Sequence, residues 1–235
     1  MDPLDRASTF PTPAATAERV TTFLRAVYGW MCAGLAITAV VAYTIASSPA
    51  LLGALVSSHL LFLGLFLAQL GLVFFLSARV DKLAPGTATL LFIAYAALTG
   101  VTFSVILAAY TGASIATTFV VTAGMFGALA LYGTTTARSL AGVGQFFFMG
   151  LIGLLLASVV GMFWKSAALE FLISVVGVLV FTGLTAWDAQ RLKQMATAIP
   201  EAQLGSYAIV GALSLYLNFI NLFLFLLRFM GGRRD

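Results

Sequence analysis

The chain has 235 residues, of which 61% are hydrophobic and only 9% are charged. Soluble domains are about half apolar and about a quarter charged, so a soluble globular fold is excluded and an integral membrane protein is predicted. The net charge is +4, but the basic residues form no run longer than Arg233-Arg234, which argues against nucleic-acid binding.

Seven apolar runs each approach the roughly 20 residues that a helix needs to cross a bilayer core of about 30 Å. No run alternates polar and apolar residues, and lipid requires internally satisfied backbones, so all seven are predicted to be α-helices. The predicted spans cover residues 25–46, 59–77, 87–109, 113–133, 143–164, 168–187 and 207–227. The predicted domains are a cytosolic tail (1–24), a seven-helix transmembrane domain (25–231) and a C-terminal tail (232–235), with the longest loop at 189–206.

The basic residues predict the orientation of the chain in the membrane. Those on one predicted side are Arg6, Arg19, Arg25, Arg79, Lys82, Arg138, Arg191 and Lys193. The first and third links carry none and the fifth carries only Lys165, so the N-terminus is predicted to be cytosolic. Seven full spans then place Arg228, Arg233 and Arg234 outside, against the same rule. A last segment that enters the membrane and returns is the alternative.

The residue inventory argues against an enzyme. One His and one Cys, with no acid beside them, do not make a zinc site. His59 is predicted at the outer end of the second span, far from Asp188 at the inner end of the sixth, and is interpreted as an interfacial residue. An aspartyl protease needs two close carboxylates, and Asp188 has no second carboxylate predicted beside it. No nucleotide-binding motif is present either, and no cofactor is predicted.

Polar residues instead follow one face of each of the last two spans. On the last span, Tyr207, Gly211, Ser214, Asn218 and Asn221 are spaced by 4, 3, 4 and 3 residues. On the sixth, Ser174, Gly177, Thr185 and Asp188 can share a face. These residues either make hydrogen bonds between helices or line a polar path.

Two interpretations of Asp188 remain open. It is either an acid that reaches the inner interface, or a partly buried carboxylate whose charge is balanced by a cation. Arg79, at the inner end of the second span, is predicted to lie at the right depth to be that cation. The pair would then act as a proton-dependent latch.

The stretch TAWDAQRLK, followed by ALSLYLNFINLFLFLLRFMG, resembles the Bax inhibitor-1 family in its bacterial branch. Further similar stretches are AALTG from Ala96, YTGASIA from Tyr110, TAGMFG from Thr122 and GQFFFMGLIGLLLASVVGMF from Gly144. The resemblance covers roughly residues 20–231. It implies a multi-pass protein of the bacterial inner membrane, with a central last helix surrounded by the other six. It also implies a pH-modulated calcium leak, a cytoprotective or stress role, and association with a membrane-bound ATP-dependent protease.

In that family a pair of aspartates on the last two helices senses pH, and an arginine at the end of the second helix latches them. The motif WDAQ matches the first aspartate to Asp188, and QLGLVFFLSAR matches the arginine to Arg79. The second aspartate falls on Asn218, an amide, so the proton-sharing pair is incomplete. A single carboxylate predicts only weak, transient calcium binding at Asp188, because calcium prefers several oxygen ligands with more negative charge.

Two functions therefore remain open from the sequence. The first is a passive pathway for calcium or other cations, lined by Asp188 and Asn218. Residues predicted to line this pathway or support it are Asn221, Ser214, Tyr207 and Thr185. The second is a non-conducting protein that regulates a membrane protease or a stress response.

Overall fold

The computed structural model describes residues 12–164 and 166–234. These residues form eight α-helices and no β-strand. The helices are α1 (Pro13–Ala46), α2 (Pro49–Ser57), α3 (His59–Ala78), α4 (Pro85–Ala109), α5 (Gly112–Thr135), α6 (Ala141–Phe163), α7 (Ala167–Ala198) and α8 (Leu204–Met230). All but α2 are long and apolar enough to cross a membrane, which confirms the predicted all-α membrane fold. The predictions made for Arg6, the rest of residues 1–11 and Lys165 lie outside the described residues.

Two helices, α1 and α7, extend more than ten residues beyond the predicted spans. Helix α1 begins at Pro13, where the side chain of Thr12 accepts a hydrogen bond from the backbone N–H of Ala15 at 3.3 Å. Helix α7 continues to Ala198, so the loop predicted at 189–206 is wrong for its first half. Hydropathy falls after Trp187, but Ala189, Leu192 and Ala196 are still buried and keep an apolar face at helical spacing.

Helix α8 is the most buried of the long helices. In its most apolar stretch 67% of the residues are buried, compared with 39% in α7 and 6% in α3. It packs against α1, α4, α5 and α7 and touches α3 more narrowly, whereas α6 packs mainly against α7. That all six other helices surround α8 remains a prediction.

Helix α8 crosses the whole bundle. Near its start, Ser206 Oγ donates a hydrogen bond to the carbonyl of Leu83, just before α4 begins. After its end, the backbone N–H of Thr111, just after α4, donates to the carbonyl of Gly232 at 3.2 Å. We call these two ends of the bundle the Ser206 end and the Gly232 end. They are opposite ends of α4, so a last segment that enters and returns is excluded.

A buried tyrosine anchors α8 at mid-depth. Tyr216 is fully buried, and its hydroxyl is 2.6 Å from Thr38 Oγ1 on α1. Thr38 Oγ1 in turn donates to the carbonyl of Ala96 on α4 at 2.9 Å, so Tyr216 is the donor to Thr38. The rings of Phe92 and Tyr95 meet the Tyr216 ring edge-on, both at 5.9 Å between centroids. These contacts fix the axial position of α8 relative to α1 and α4.

Candidate functional site

A buried carboxylate lies between the last two helices, near the Ser206 end. Asp188 on α7 is 7% exposed. Its Oδ2 accepts hydrogen bonds from Ser214 Oγ at 2.7 Å and Asn218 Nδ2 at 2.8 Å, both on α8. Ser214 and Asn218 are four residues apart, one turn of helix, so both reach the same oxygen. The structure therefore brings together three residues that the helical spacing had placed on facing sides.

Arg191 provides the positive charge nearest to this carboxylate. Its Nη1 is 3.9 Å from Asp188 Oδ1, and the two residues lie three positions apart on the same helix face. The Arg191 side chain is 54% exposed, and its guanidinium also lies 5.7 Å from the centre of the Trp187 ring. An ion pair this long and this exposed is weak, so Arg191 can move away from Asp188 at little cost.

Arg79, predicted as the partner of Asp188, lies elsewhere. It caps the C-terminus of α3, is exposed, and places its guanidinium 5.7 Å from the centre of the Phe75 ring. Among the described residues, the ion pair at Asp188 is made by Arg191 and not by Arg79. The physical reason is that α3 makes only narrow contact with α8, which leaves its last residues at the rim of the site.

A cavity of about 290 Å³ connects Asp188 with the Ser206 end. Ser77 and Val80 line it on the α3 side, and Asp188, Arg191 and Ser214 line it on the α7 and α8 side. Tyr207, at its rim, donates a hydrogen bond from its hydroxyl to Asp81 Oδ1. Asp81 was not among the residues predicted from the sequence, because the short link that carries it has no periodic pattern. The predicted α8 residues Tyr207, Gly211 and Ser214 all line this cavity.

Two predicted residues do not join the site. Thr185 is fully buried and donates to the carbonyl of Phe181 in its own helix at 2.7 Å. Asn221 donates from Nδ2 to the carbonyl of Leu217, also in its own helix, at 2.8 Å. For both, the polar group is satisfied by the helix backbone and not by the neighbouring helix.

The α7–α8 interface changes character on the far side of Asn218. A cluster of buried apolar side chains fills it towards the Gly232 end, and we call this cluster the apolar seal. Its members are Leu154, Ile173, Val180, Phe181, Leu184, Leu222 and Leu226. No member of the seal lines the Asp188 cavity, whose lining residues lie from Leu217 towards the Ser206 end.

Close approach of neighbouring helices holds the segment around Asp188 in place. A Cβ atom at Gly133 of α5 would lie 2.1 Å from the carbonyl oxygen of Ala186, and one at Gly144 of α6 would lie 2.1 Å from the Trp187 ring. Gln190 joins the α5–α6 link: its Oε1 accepts from the Leu140 N–H at 2.7 Å, and its Nε2 donates to the Arg138 carbonyl at 2.8 Å. The residues around Asp188 in the motif AWDAQ are therefore held in position by contacts with α5, with α6 and with the link between them. Gln190 is a positioning residue that was not predicted from the sequence.

Oxygen atoms for a cation are present but few. The carboxylate of Asp188, the hydroxyl of Ser214 and the side-chain carbonyl of Asn218 are the nearest candidates. Within residues 12–164 and 166–234, no group of three or more His, Cys, Asp or Glu side chains could hold a metal. This donor set suits brief contact with a passing cation better than tight binding.

The fold and the site define a class: a multi-pass α-helical membrane protein with a buried carboxylate between its last two helices. The sequence model of the family described as "Inhibitor of apoptosis-promoting Bax1" matches residues 20–235, and the chain belongs to this family. Inner membrane protein YbhL of Escherichia coli K12 is 50% identical over the full length of both chains. An uncharacterized protein of Borreliella burgdorferi is 45% identical over 91% of this chain and 93% of its own. One of Deinococcus radiodurans is also 45% identical, over 95% of this chain and 96% of its own.

Proposed function

We propose that this protein is a passive cation pathway of the bacterial inner membrane, with calcium as the cargo and Asp188 as the residue that admits it. The observation that carries the proposal is the position of the Asp188 carboxylate, buried at the floor of a cavity that opens at the Ser206 end. An ionisable side chain inside a membrane bundle is costly, and such residues mark ion and proton pathways.

The distribution of charge supports a cytosolic Ser206 end. The basic residues at that end are Arg19, Arg25, Arg79, Lys82, Arg138, Arg191 and Lys193, against Arg228, Arg233 and Arg234 at the other. An excess of basic residues is typical of the cytosolic side. Some of these cations also stabilise helix ends: Arg19 donates to the carbonyls of Ala196 and Ile199, and Lys193 to that of Thr134. The name of the Escherichia coli relative supports the inner membrane.

Two barriers would keep this pathway closed at rest. The first is Arg191, which competes with any cation for the Asp188 carboxylate; it takes the latch role that the resemblance assigned to Arg79. The second is the apolar seal, which excludes water from the other half of the interface. A cation that displaces Arg191 would bind transiently to the side-chain oxygens of Asp188, Ser214 and Asn218. It would pass further only when the apolar seal opens.

The replacement of the second aspartate by Asn218 limits pH sensing to one carboxylate. Protonation removes the negative charge that attracts the cation, so the flux is expected to fall as the pH falls through the titration of Asp188. Without a second carboxylate to share the proton, the broad two-step titration of a pair is not expected.

Calcium flux into liposomes that carry a calcium dye tests the proposal. The wild-type protein should give flux above empty vesicles, and Asp188→Asn should abolish both the flux and its pH dependence. Glu201→Gln is the matched control, because Glu201 is an exposed acid at the same end. Wild-type vesicles that match empty vesicles at every pH would refute the proposal.

A second candidate function has its own supporting observation. A cleft of about 880 Å³ opens at the Ser206 end between the start of α1, the α5–α6 link and the end of α7. Arg138, Gln190, Gln194 and Thr21 are among its polar lining residues. A cleft with polar side chains at this end of the bundle supports a protein partner, and the resemblance points to a membrane-bound ATP-dependent protease as that partner.

Site-specific photocrosslinking tests the regulatory function in intact cells. A crosslinker at Gln194, in the cleft, should capture the protease, whereas one at Thr44, exposed near the opposite end of α1, should not. Equal recovery from both positions, or no enrichment of a protease from Gln194, would count against this function.

A further inference from the structure

The C-terminal tail is fastened to the corner between α4 and α5. Besides the bond from Thr111 to Gly232, the N–H of Arg234 donates to the carbonyl of Ala109 at 3.0 Å, and the N–H of Gly232 donates to Ser114 Oγ at 2.9 Å. The tail can approach so closely because residue 231 is a glycine: a Cβ there would lie 3.0 Å from the Tyr110 ring and 2.4 Å from the Leu227 carbonyl oxygen.

This docking holds two arginines at the Gly232 end. Arg233 pairs with Tyr110 as an isolated antiparallel bridge, and its guanidinium lies 5.9 Å from the centre of the Tyr110 ring. Both Arg233 and Arg234 are exposed. Glu170 at the start of α7 is close enough to act on Arg233, but the two do not form an ion pair within 4.0 Å. Within residues 12–164 and 166–234, neither Arg233 nor Arg234 forms an ion pair within 4.0 Å. Asp235, which follows them, lies outside the described residues.

An apolar groove begins about one helical turn below these arginines. It has a volume of about 320 Å³ and lies between α1, α4, α5 and α8. Ile106, one turn before Tyr110, and Ile115, one turn after Thr111, line its upper end. Phe219 and Phe223 line its floor. The Phe219 ring meets Phe119 edge-on at 5.5 Å between centroids, and the Phe223 ring stacks on Phe103 at 6.2 Å.

The groove opens to the lipid and has the length of one leaflet. Ala39, Tyr43 and Phe119 line it and are exposed on the outer surface of the bundle. At about 1.5 Å per residue, Phe219 lies about 18 Å below Gly231 along α8. Half of a typical hydrocarbon core is about 15 Å, so an extended acyl chain that enters at the tail would reach the floor of the groove.

We propose that the groove binds one acyl chain of an anionic phospholipid, whose phosphate is held by Arg233 and Arg234. The charge of the docked tail selects the headgroup, because phosphate accepts charge-assisted hydrogen bonds from arginine. The apolar lining takes the chain. The site is distinct from the Asp188 cavity, which opens at the opposite end of α8.

Native mass spectrometry of the full-length protein in detergent tests this site, with phosphatidylglycerol and phosphatidylcholine of identical chains as probes. The wild type should retain phosphatidylglycerol preferentially. The double variant Arg233→Gln/Arg234→Gln should bind it roughly 30-fold more weakly, the effect expected for two cations near an anionic lipid. Arg228→Gln is the matched control, since Arg228 is exposed at the same end but on another face of α8.

A second pair of variants tests the groove. Ala39→Phe should block the groove and reduce the binding of both lipids, whereas Ala36→Phe, one turn earlier on the exposed side of α1 and outside the groove, should not. Circular dichroism checks that both variants fold, and Leu107→Trp replaces Ala39→Phe if that variant does not. Equal retention of the two lipids by the wild type, or an Arg228→Gln loss equal to that of the double variant, would overturn the proposal.

Discussion

The two halves of the α7–α8 interface differ sharply although α7 and α8 contribute side chains to both. Towards the Ser206 end, Asp188, Ser214 and Asn218 form a polar cluster beside a cavity. Towards the Gly232 end, Phe181, Leu184, Leu222 and their neighbours form the apolar seal. The contrast shows how a membrane bundle can keep a carboxylate accessible from one side while it remains closed to the other.

Each half is stable for a different physical reason. The Asp188 carboxylate is tolerated because its oxygens have donors, and a hydrogen bond to a charged group contributes about 1.5–3 kcal/mol. The apolar seal has no such bonds, and its stability depends on the packing of its side chains. Removing buried atoms from it leaves a cavity and lowers the free energy of unfolding. Substitutions in the polar half should therefore change selectivity and pH response, and substitutions in the seal should change the resting leak.

The largest effect is expected from breaking the seal. Leu184→Ala removes a side chain that is 4% exposed, which should cost about 2–5 kcal/mol of stability. It should also raise the resting calcium flux by about tenfold or more, because the opened space lets water continue from the polar half. Leu179→Ala on the same helix is the control, since Leu179 is 57% exposed on the lipid face. Equal flux in the two variants would show that the seal is not the barrier.

The next largest effect is expected from disturbing the close contact between α5 and the segment of α7 around Asp188. Gly133→Ala places a methyl group 2.1 Å from the Ala186 carbonyl oxygen, so α5 or α7 must move, at a cost of about 1–3 kcal/mol. Gly127→Ala, on the same helix but with no atom within 4 Å of the new Cβ, should not destabilise the protein. Thermal unfolding in detergent measures both, and similar midpoints would contradict the proposed close approach.

A pH effect should follow from restoring the second carboxylate. In Asn218→Asp the new carboxylate would lie next to Asp188, since Asn218 Nδ2 is 2.8 Å from Asp188 Oδ2. Two carboxylates in contact resist double ionisation, so the flux should begin to fall at a pH about one unit or more closer to neutral than in the wild type. Asn221→Asp, nearly one turn along and bonded to its own helix, should shift the curve less. Identical curves for all three proteins would rule out the shared-proton effect.

The smallest effect is expected from the latch. Arg191→Gln removes an ion pair that is 3.9 Å long and whose arginine is 54% exposed, and such pairs contribute about 1 kcal/mol or less. The calcium flux should therefore rise by no more than about fivefold, which is the change that about 1 kcal/mol produces. Arg79→Gln should leave the flux unchanged, because Arg79 contacts Phe75 and not Asp188. A larger change in flux in Arg79→Gln than in Arg191→Gln would instead support the pairing of Arg79 with Asp188 that the resemblance implied.

Most of the fold was predictable from the sequence because membrane thickness sets the length of each apolar run. The extension of α7 to Ala198 was not, since it depends on Leu192 and Ala196 packing in the bundle after the run has ended. The nine-residue helix α2 was also missed, because it is too short to span a membrane.

The site was predictable where helical spacing decides it. The 4-residue step from Ser214 to Asn218 and the facing Asp188 required only that α7 and α8 pack together. The partner cation of Asp188 was not predictable from its depth in the membrane. Ser77 and Val80, next to Arg79, line the same cavity as Arg191, but only Arg191 shares a helix face with Asp188. The spacing D-x-x-R in the sequence was the signal that could have identified it.

Thiol accessibility tests the central claim, that the polar half is open to water from the Ser206 end and that the seal stops it. The background is Cys32→Ala, which removes the sole native cysteine. Val210→Cys lines the cavity and Leu222→Cys lies in the seal, both on α8. A charged, membrane-impermeant thiol reagent applied at the Ser206 end, which we propose to be cytosolic, should label Val210→Cys and leave Leu222→Cys unmodified. Equal labelling of the two positions, or labelling of Leu222→Cys alone, would contradict the account.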